Sequence, residues 1–141
     1  MTKLWFIPLL FLIISCTSLK DLPEVTSAEN GLKENNWVLK ELLGNTVSAK
    51  DFMKGLPKLN FREENVLEGM TGCNSFSGKY AVGEDLKLYL GAMTKMNCPG
   101  PGEEEFIKAI TDTSKLLMDG KDLLFVDGDK VLLRFTPAKT N

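Results

Sequence analysis

The sequence predicts an α+β fold, a bent antiparallel β-sheet of short strands with one α-helix docked on its concave face. Three observations predict it. From Trp37 onward the apolar residues alternate in short runs more often than they recur at helical spacing. Turn residues punctuate these runs at Gly44-Asn45, Glu63-Glu64-Asn65, Gly83-Glu84-Asp85, Asp119-Gly120 and Asp127-Gly128. A single segment, Glu103 to Asp112, breaks the alternation with Phe106, Ile107 and Ile110 on one side of a helix.

The first residues concern address more than fold. MTKLWFIPLLFLIISC places Lys3 before an apolar run from Trp5 to Ile14, then Ser15 and Cys16. A membrane-spanning helix needs about 20 apolar residues. This run is roughly half as long and contains Pro8, which weakens a helix. Residues 1–15 therefore read as a secretory signal peptide. The junction Leu12-Ile13-Ile14-Ser15-Cys16 resembles the lipobox of bacterial lipoproteins, in which the leader is cut before the Cys and that Cys is acylated. Cys16 is thus the expected lipid attachment site and the membrane the expected partner at this end. Thr17–Asn36 is polar, with Pro23, Gly31 and several Ser, Thr and Asn residues. It reads as a tether, holding the domain on average about 25 Å from its anchor at 5–6 Å times √n. The alternative is that part of it folds onto the domain as an edge.

In the domain, residues 37–137, Trp37 and Leu39 share a face, as do Leu59 and Phe61. Leu86, Leu88 and Leu90 alternate with Lys87 and Tyr89, and Val131, Leu133 and Phe135 alternate with Leu132 and Arg134. Asp127-Gly128 favours the positive φ of a tight turn, so Leu123 to Val126 should pair with Val131 to Phe135. Lys115 to Met118 extends this into a meander. Glu103, Glu104 and Glu105 suit the positive end of the helix dipole, and stabilisation and solubility are their expected role, with a paired-carboxylate acid/base site as the alternative. Residues 138–141 form a short tail.

Composition limits the function. The chain has 141 residues, enough for a leader and one domain. Its 17 basic and 19 acidic side chains give a net charge of -2, with no basic block, so a nucleic-acid partner is not expected. The absence of His removes Ser-His-Asp and Cys-His catalysis and His-ligated zinc. Gly72 to Lys79 does not match a phosphate-binding loop, and Asp127 and Asp129 lack the remaining ligands of an EF-hand. Ser75 or Ser77 with Lys79 is a weak hydrolase set. No catalytic residue, metal or cofactor is expected.

With Cys16 acylated, Cys73 and Cys98 remain as an even pair, for which a disulfide is the default in an exported chain and free or redox-active thiols the rival. Around Cys73, Gly72 permits a turn or bulge and Asn74 can bond nearby backbone. Gly72-Cys73-Asn74 with Phe76, Gly78 and Tyr80, then Thr94-Lys95-Met96-Asn97-Cys98, then Glu103 with Phe106 and Ile110, follow one another in an order that resembles the META domain, or HslJ-like, family. The resemblance covers nearly all of residues 35–137, with Asn97 where many relatives have Ala.

The resemblance implies a half-barrel wrapped around one helix, a Cys73–Cys98 disulfide, and an exported or lipid-anchored protein. Family associations are heat shock, novobiocin tolerance, motility and virulence, with no general enzymatic activity. Asn74 and Thr94 are the polar residues expected either to line a binding surface or to fix turns. The expected function is a monomeric, non-catalytic envelope lipoprotein, anchored in the outer membrane facing the periplasm, that binds another envelope component and supports stress or antibiotic tolerance. The alternative is a carrier for a lipid or small hydrophobic ligand, with Met53, Met70, Met93, Met96 and Met118 near an apolar face.

Overall fold

The alternating runs form nine strands in one antiparallel sheet, in a computed structural model that describes residues 18–26, 31–83 and 86–139. In chain order they are β1 (Asn36–Leu42), β2 (Asn45–Thr46), β3 (Lys58–Phe61), β4 (Val66–Met70), β5 (Ser75–Ala81), β6 (Lys87–Met93), β7 (Lys115–Asp119), β8 (Asp122–Asp127) and β9 (Lys130–Pro137), with helix α1 (Gly102–Thr111) between β6 and β7. The sheet order is β6-β5-β4-β3-β1-β9-β8-β7, and β2 pairs with β1 as a short hairpin arm. Two meanders thus flank β1, which pairs with β3 on one side and β9 on the other. The chain leaves β6 at one edge and must reach β7 at the other. Helix α1 makes that crossing inside the curl of the sheet, packing on β1, β6 and β9. The result is the expected half-barrel around one helix.

The helix buries Phe106, Ala109 and Ile110, with Ile107 half-buried against the same core. Its apolar stripe meets the inward residues of the sheet, among them Trp37, Leu39, Leu59, Phe61, Leu67 and Phe135, all at most 1% exposed. Phe106 sits edge-on to Phe135 at 6.3 Å, and Phe61 edge-on to Tyr80 at 4.9 Å, separations typical of favourable aromatic pairs. Gly78 is required where β5 is bulged against β6, because a Cβ there would collide with the carbonyl of Tyr89.

The β8–β9 hairpin forms as expected, with Gly128 at φ 55° in its turn. Its register differs from simple alternation. A bulge opposite Phe125 and Val126 sends Leu132 into the core beside Leu133, while Val131 turns to the outer face.

The tether reading of Thr17–Asn36 is corrected within the described residues. A 3-10 turn (Leu19–Asp21) leads into Pro23–Val25, which lies along β7: the Val25 amide donates to the Leu116 carbonyl at 2.9 Å and the Met118 amide to that of Pro23 at 3.0 Å. Val25 and Leu32 are 2% and 0% exposed, and the Trp37 indole donates to the Leu32 carbonyl at 3.0 Å. The reason is burial. Leu117, Leu124 and Val126 point away from the helix, and Leu19 and Leu22 cover them. The signal peptide and the acylation expected at Cys16 lie outside the described residues.

On the outer face, Arg134 gathers carboxylates. Its Nη1 lies 2.8 Å from Asp119 and 3.3 Å from Asp122, its Nε 3.3 Å from Glu41, and Lys40 reaches Asp122 at 3.0 Å. Burial, the largest influence on Asp122, opposes its ionisation. Hydrogen bonds from Lys40, Thr136 and Arg134 together outweigh it, so its pKa falls below 3.8. A carboxyl whose folded pKa is depressed adds stability that is present above its unfolded pKa and is lost as pH falls through the folded value. Denaturant midpoints measured from about pH 6 down to about pH 2 should therefore decline at the acid end, and Asp122→Asn should flatten that decline.

Candidate functional site

The family-like residues converge where β4 turns into β5, at Thr71–Asn74. Gly72 has φ 92°, which lets the chain reverse there, and the Phe52 ring packs where a side chain on Gly72 would stand. This directs Cys73 and Asn74 toward Thr94–Cys98, the stretch that follows β6. Cys73 and Cys98 form a disulfide across a Cα separation of 6.0 Å, with Cys73 buried and Cys98 half-buried. That separation lies within the usual span for such a bridge.

Asn74, 5% exposed, is saturated by its neighbours. Its Oδ1 accepts from the Thr94 hydroxyl at 2.9 Å and from the Met96 amide at 2.7 Å. Its Nδ2 donates to the Met96 carbonyl at 3.0 Å and to Glu103 Oε1 and Oε2 at 3.0 and 3.2 Å. A primary amide offers two donors and two acceptor lone pairs, so its capacity is taken up inside the chain. Thr94 in turn accepts from the Ser75 amide at 3.1 Å. Fully buried Thr71 accepts from the Asn74 amide at 2.9 Å, and its hydroxyl also donates to Glu103 Oε1.

Glu103 is the residue whose role sequence reading missed. Glu104 and Glu105 are exposed in the first turn of α1, as the dipole argument expects, but Glu103 turns inward and fastens the helix start to the β4–β5 turn. Thr71, its other partner, was also missed. The available signal was the position of Glu103 alone among the three in the family-like pattern. The network and the disulfide together tie β4–β5, the post-β6 segment and α1 into one clasp. Asn74→Ala would leave the Thr94 hydroxyl and the Met96 amide without this partner and the Glu103 carboxylate with Thr71 alone of its two, at an expected cost of about 2–3 kcal/mol. Asn74→Asp should lower the melting temperature further, because it sets a carboxylate against Glu103; thermal melts of both variants test this.

The other sequence candidates are dispersed. Ser75, Ser77 and Lys79 are all exposed on β5, and Ser75 and Lys79 are four residues apart along it, roughly 13 Å at strand rise. Lys79 reaches the carbonyl of Glu64 at 3.4 Å. The five methionines are dispersed: Met53 and Met96 are 62% and 41% exposed, while Met93 and Met118 lie on β6 and β7 at opposite ends of the sheet order. An open groove of about 470 Å³ remains at the surface, floored by Leu42, Val47 and Phe52 and rimmed by Asp51 and Glu105. Among the described residues no group of three or more potential ligands stands ready for a metal ion, and no helix is long and apolar enough to cross a membrane.

A protein whose structure was solved by NMR is similar in fold, with a TM-score of 0.58 and 21% identity, covering 75% of this chain and 91% of that one. Among curated proteins none matches the chain. The family profile of the META domain matches residues 30–140, a span that includes β1 to β9, the Cys73–Cys98 bridge and the Asn74–Glu103 clasp. The chain belongs to the META domain family.

Proposed function

We propose that this protein is a non-catalytic lipoprotein of the bacterial cell envelope, acylated at Cys16 in the outer membrane and facing the periplasm, whose META domain binds another envelope component in support of stress or antibiotic tolerance. The observation that carries the non-catalytic part is the saturation of Asn74, Thr71 and Glu103 by one another. The most individual polar residues of the chain hold its fold together and present no free nucleophile or proton carrier. The lipobox-like Leu12 to Cys16 and the Cys73–Cys98 disulfide both suit an exported, oxidising setting.

Intact-mass measurement on protein extracted from membranes tests the anchor. The expected species begins at Cys16 and carries fatty acyl mass; a species beginning at Met1 without acyl mass overturns it. In-envelope crosslinking tests the partner. Recovery of the same envelope component by wild type, and its loss when the disulfide is removed, is the expected result. Capture of nothing above an acylated control domain overturns the binding role.

A further inference from the structure

The strand β8 is apolar on both faces. Leu123 and Phe125 point to the helix, while Leu124 and Val126 join Leu117 on the outer face. An outer apolar face needs a cover, and the described N-terminal segment supplies it. Leu19 and Leu22 pack on that cluster, Pro23–Val25 adds to the edge of β7, and Lys115 pairs with Glu24 at 2.9 Å. Leu19 and Lys20 share a groove with Gly128 and Asp129. The start of the described chain is therefore held at the β8–β9 turn.

Cys16 precedes Leu19, the first residue packed on the domain, by three residues. Extended chain spans at most about 3.6 Å per residue, so an acylated Cys16 can lie no more than about 11 Å of chain from the docked segment. We propose that this segment is a mount: it covers the outer face of β7–β8 and holds the β8–β9 turn close to the lipid headgroups, in place of a stand-off of about 25 Å. The proposal rests on acylation of Cys16 as read above. Chain length sets the apposition, not charge, since Lys20, Lys115 and Lys130 are offset around this face by Asp21, Glu24, Asp127 and Asp129. The membrane-proximal surface is thereby specified. At the opposite end of β8, Lys121 stands roughly 17 Å further along the strand and should be clear of the headgroups.

The test uses the full acylated protein in vesicles of phosphatidylethanolamine and phosphatidylglycerol containing a headgroup spin-labelled lipid. Asp129→Cys and Lys121→Cys are each labelled with a fluorophore under non-reducing conditions, which spares the native bridge. Quenching several-fold stronger at residue 129 than at residue 121, and unchanged by high salt, is the expected result. Leu22→Asp, which undocks the segment, should reduce quenching at residue 129 to the level at residue 121. Weak and equal quenching at both positions of protein whose acyl mass is verified overturns the mount alone. Protein found without acyl mass overturns the anchoring reading and the mount with it.

Discussion

Replacing Phe106 with alanine is expected to destabilise the domain by about 3–5 kcal/mol, a large part of the 5–15 kcal/mol typical of a domain's whole stability. Phe106 is fully buried, faces Phe135 edge-on at 6.3 Å, and is the largest side chain that α1 sends into the curl of the sheet. The ten-residue helix is too short to persist without its packing. Among the described residues α1 is the one α-helix that packs on the sheet, and Phe106 joins Phe52 and Leu32 in the core it covers. Loss of the Phe106 ring therefore weakens both layers at once. Equilibrium unfolding in urea should show the reduced midpoint. Ile107→Ala, at a half-buried position on the same helix, should cost clearly less, and equal costs would mean that the helix face is assigned wrongly.

The second large effect is expected from the Cys73→Ser, Cys98→Ser double variant. The bridge closes a loop with a sequence separation of 25, for which the chain-entropy model gives about 3.5 kcal/mol. Removing it should lower the midpoint of unfolding and also loosen one region more than the rest. The stretch from Lys95 to Pro101 carries no strand or helix and is tied down by the bridge and by Asn74. Hydrogen exchange should therefore accelerate at Met96, whose amide donates to Asn74, before it accelerates in β8, where both faces are buried. Uniform acceleration through both segments would show that the bridge acts on the unfolded chain alone. Its action then would not include holding the clasp.

Most of the strands and the helix were legible in the sequence because their signals are local. Alternation in Leu86 to Leu90, the Asp127-Gly128 turn and the spacing of Phe106 and Ile110 depend only on residues a few positions apart. The pairing of the two domain cysteines was legible as well, from their number and setting. The partner of Glu103 was not: Thr71 lies 32 residues away and Asn74 lies 29, and only the crossing of α1 from β6 to β7 brings them together. Nor was the turn of Val131 to the outer face, which follows from a bulge set by pairing with β8.

Between these cases stands the N-terminal segment. Its own polar composition reads as a tether, yet the unbroken apolar run Leu123 to Val126 in β8 already called for a cover on both faces. By itself the sequence determined most of the strands and the place of the single α-helix, since these follow from local backbone preference, and it left Cys73 and Cys98 as the pair once Cys16 is set aside for acylation. Only the tertiary structure decided which carboxylate fastens the helix, which side chains face outward after a bulge, and what covers β8. Those outcomes depend on contacts between residues distant in the chain, and a long-range contact leaves no periodic trace in the sequence.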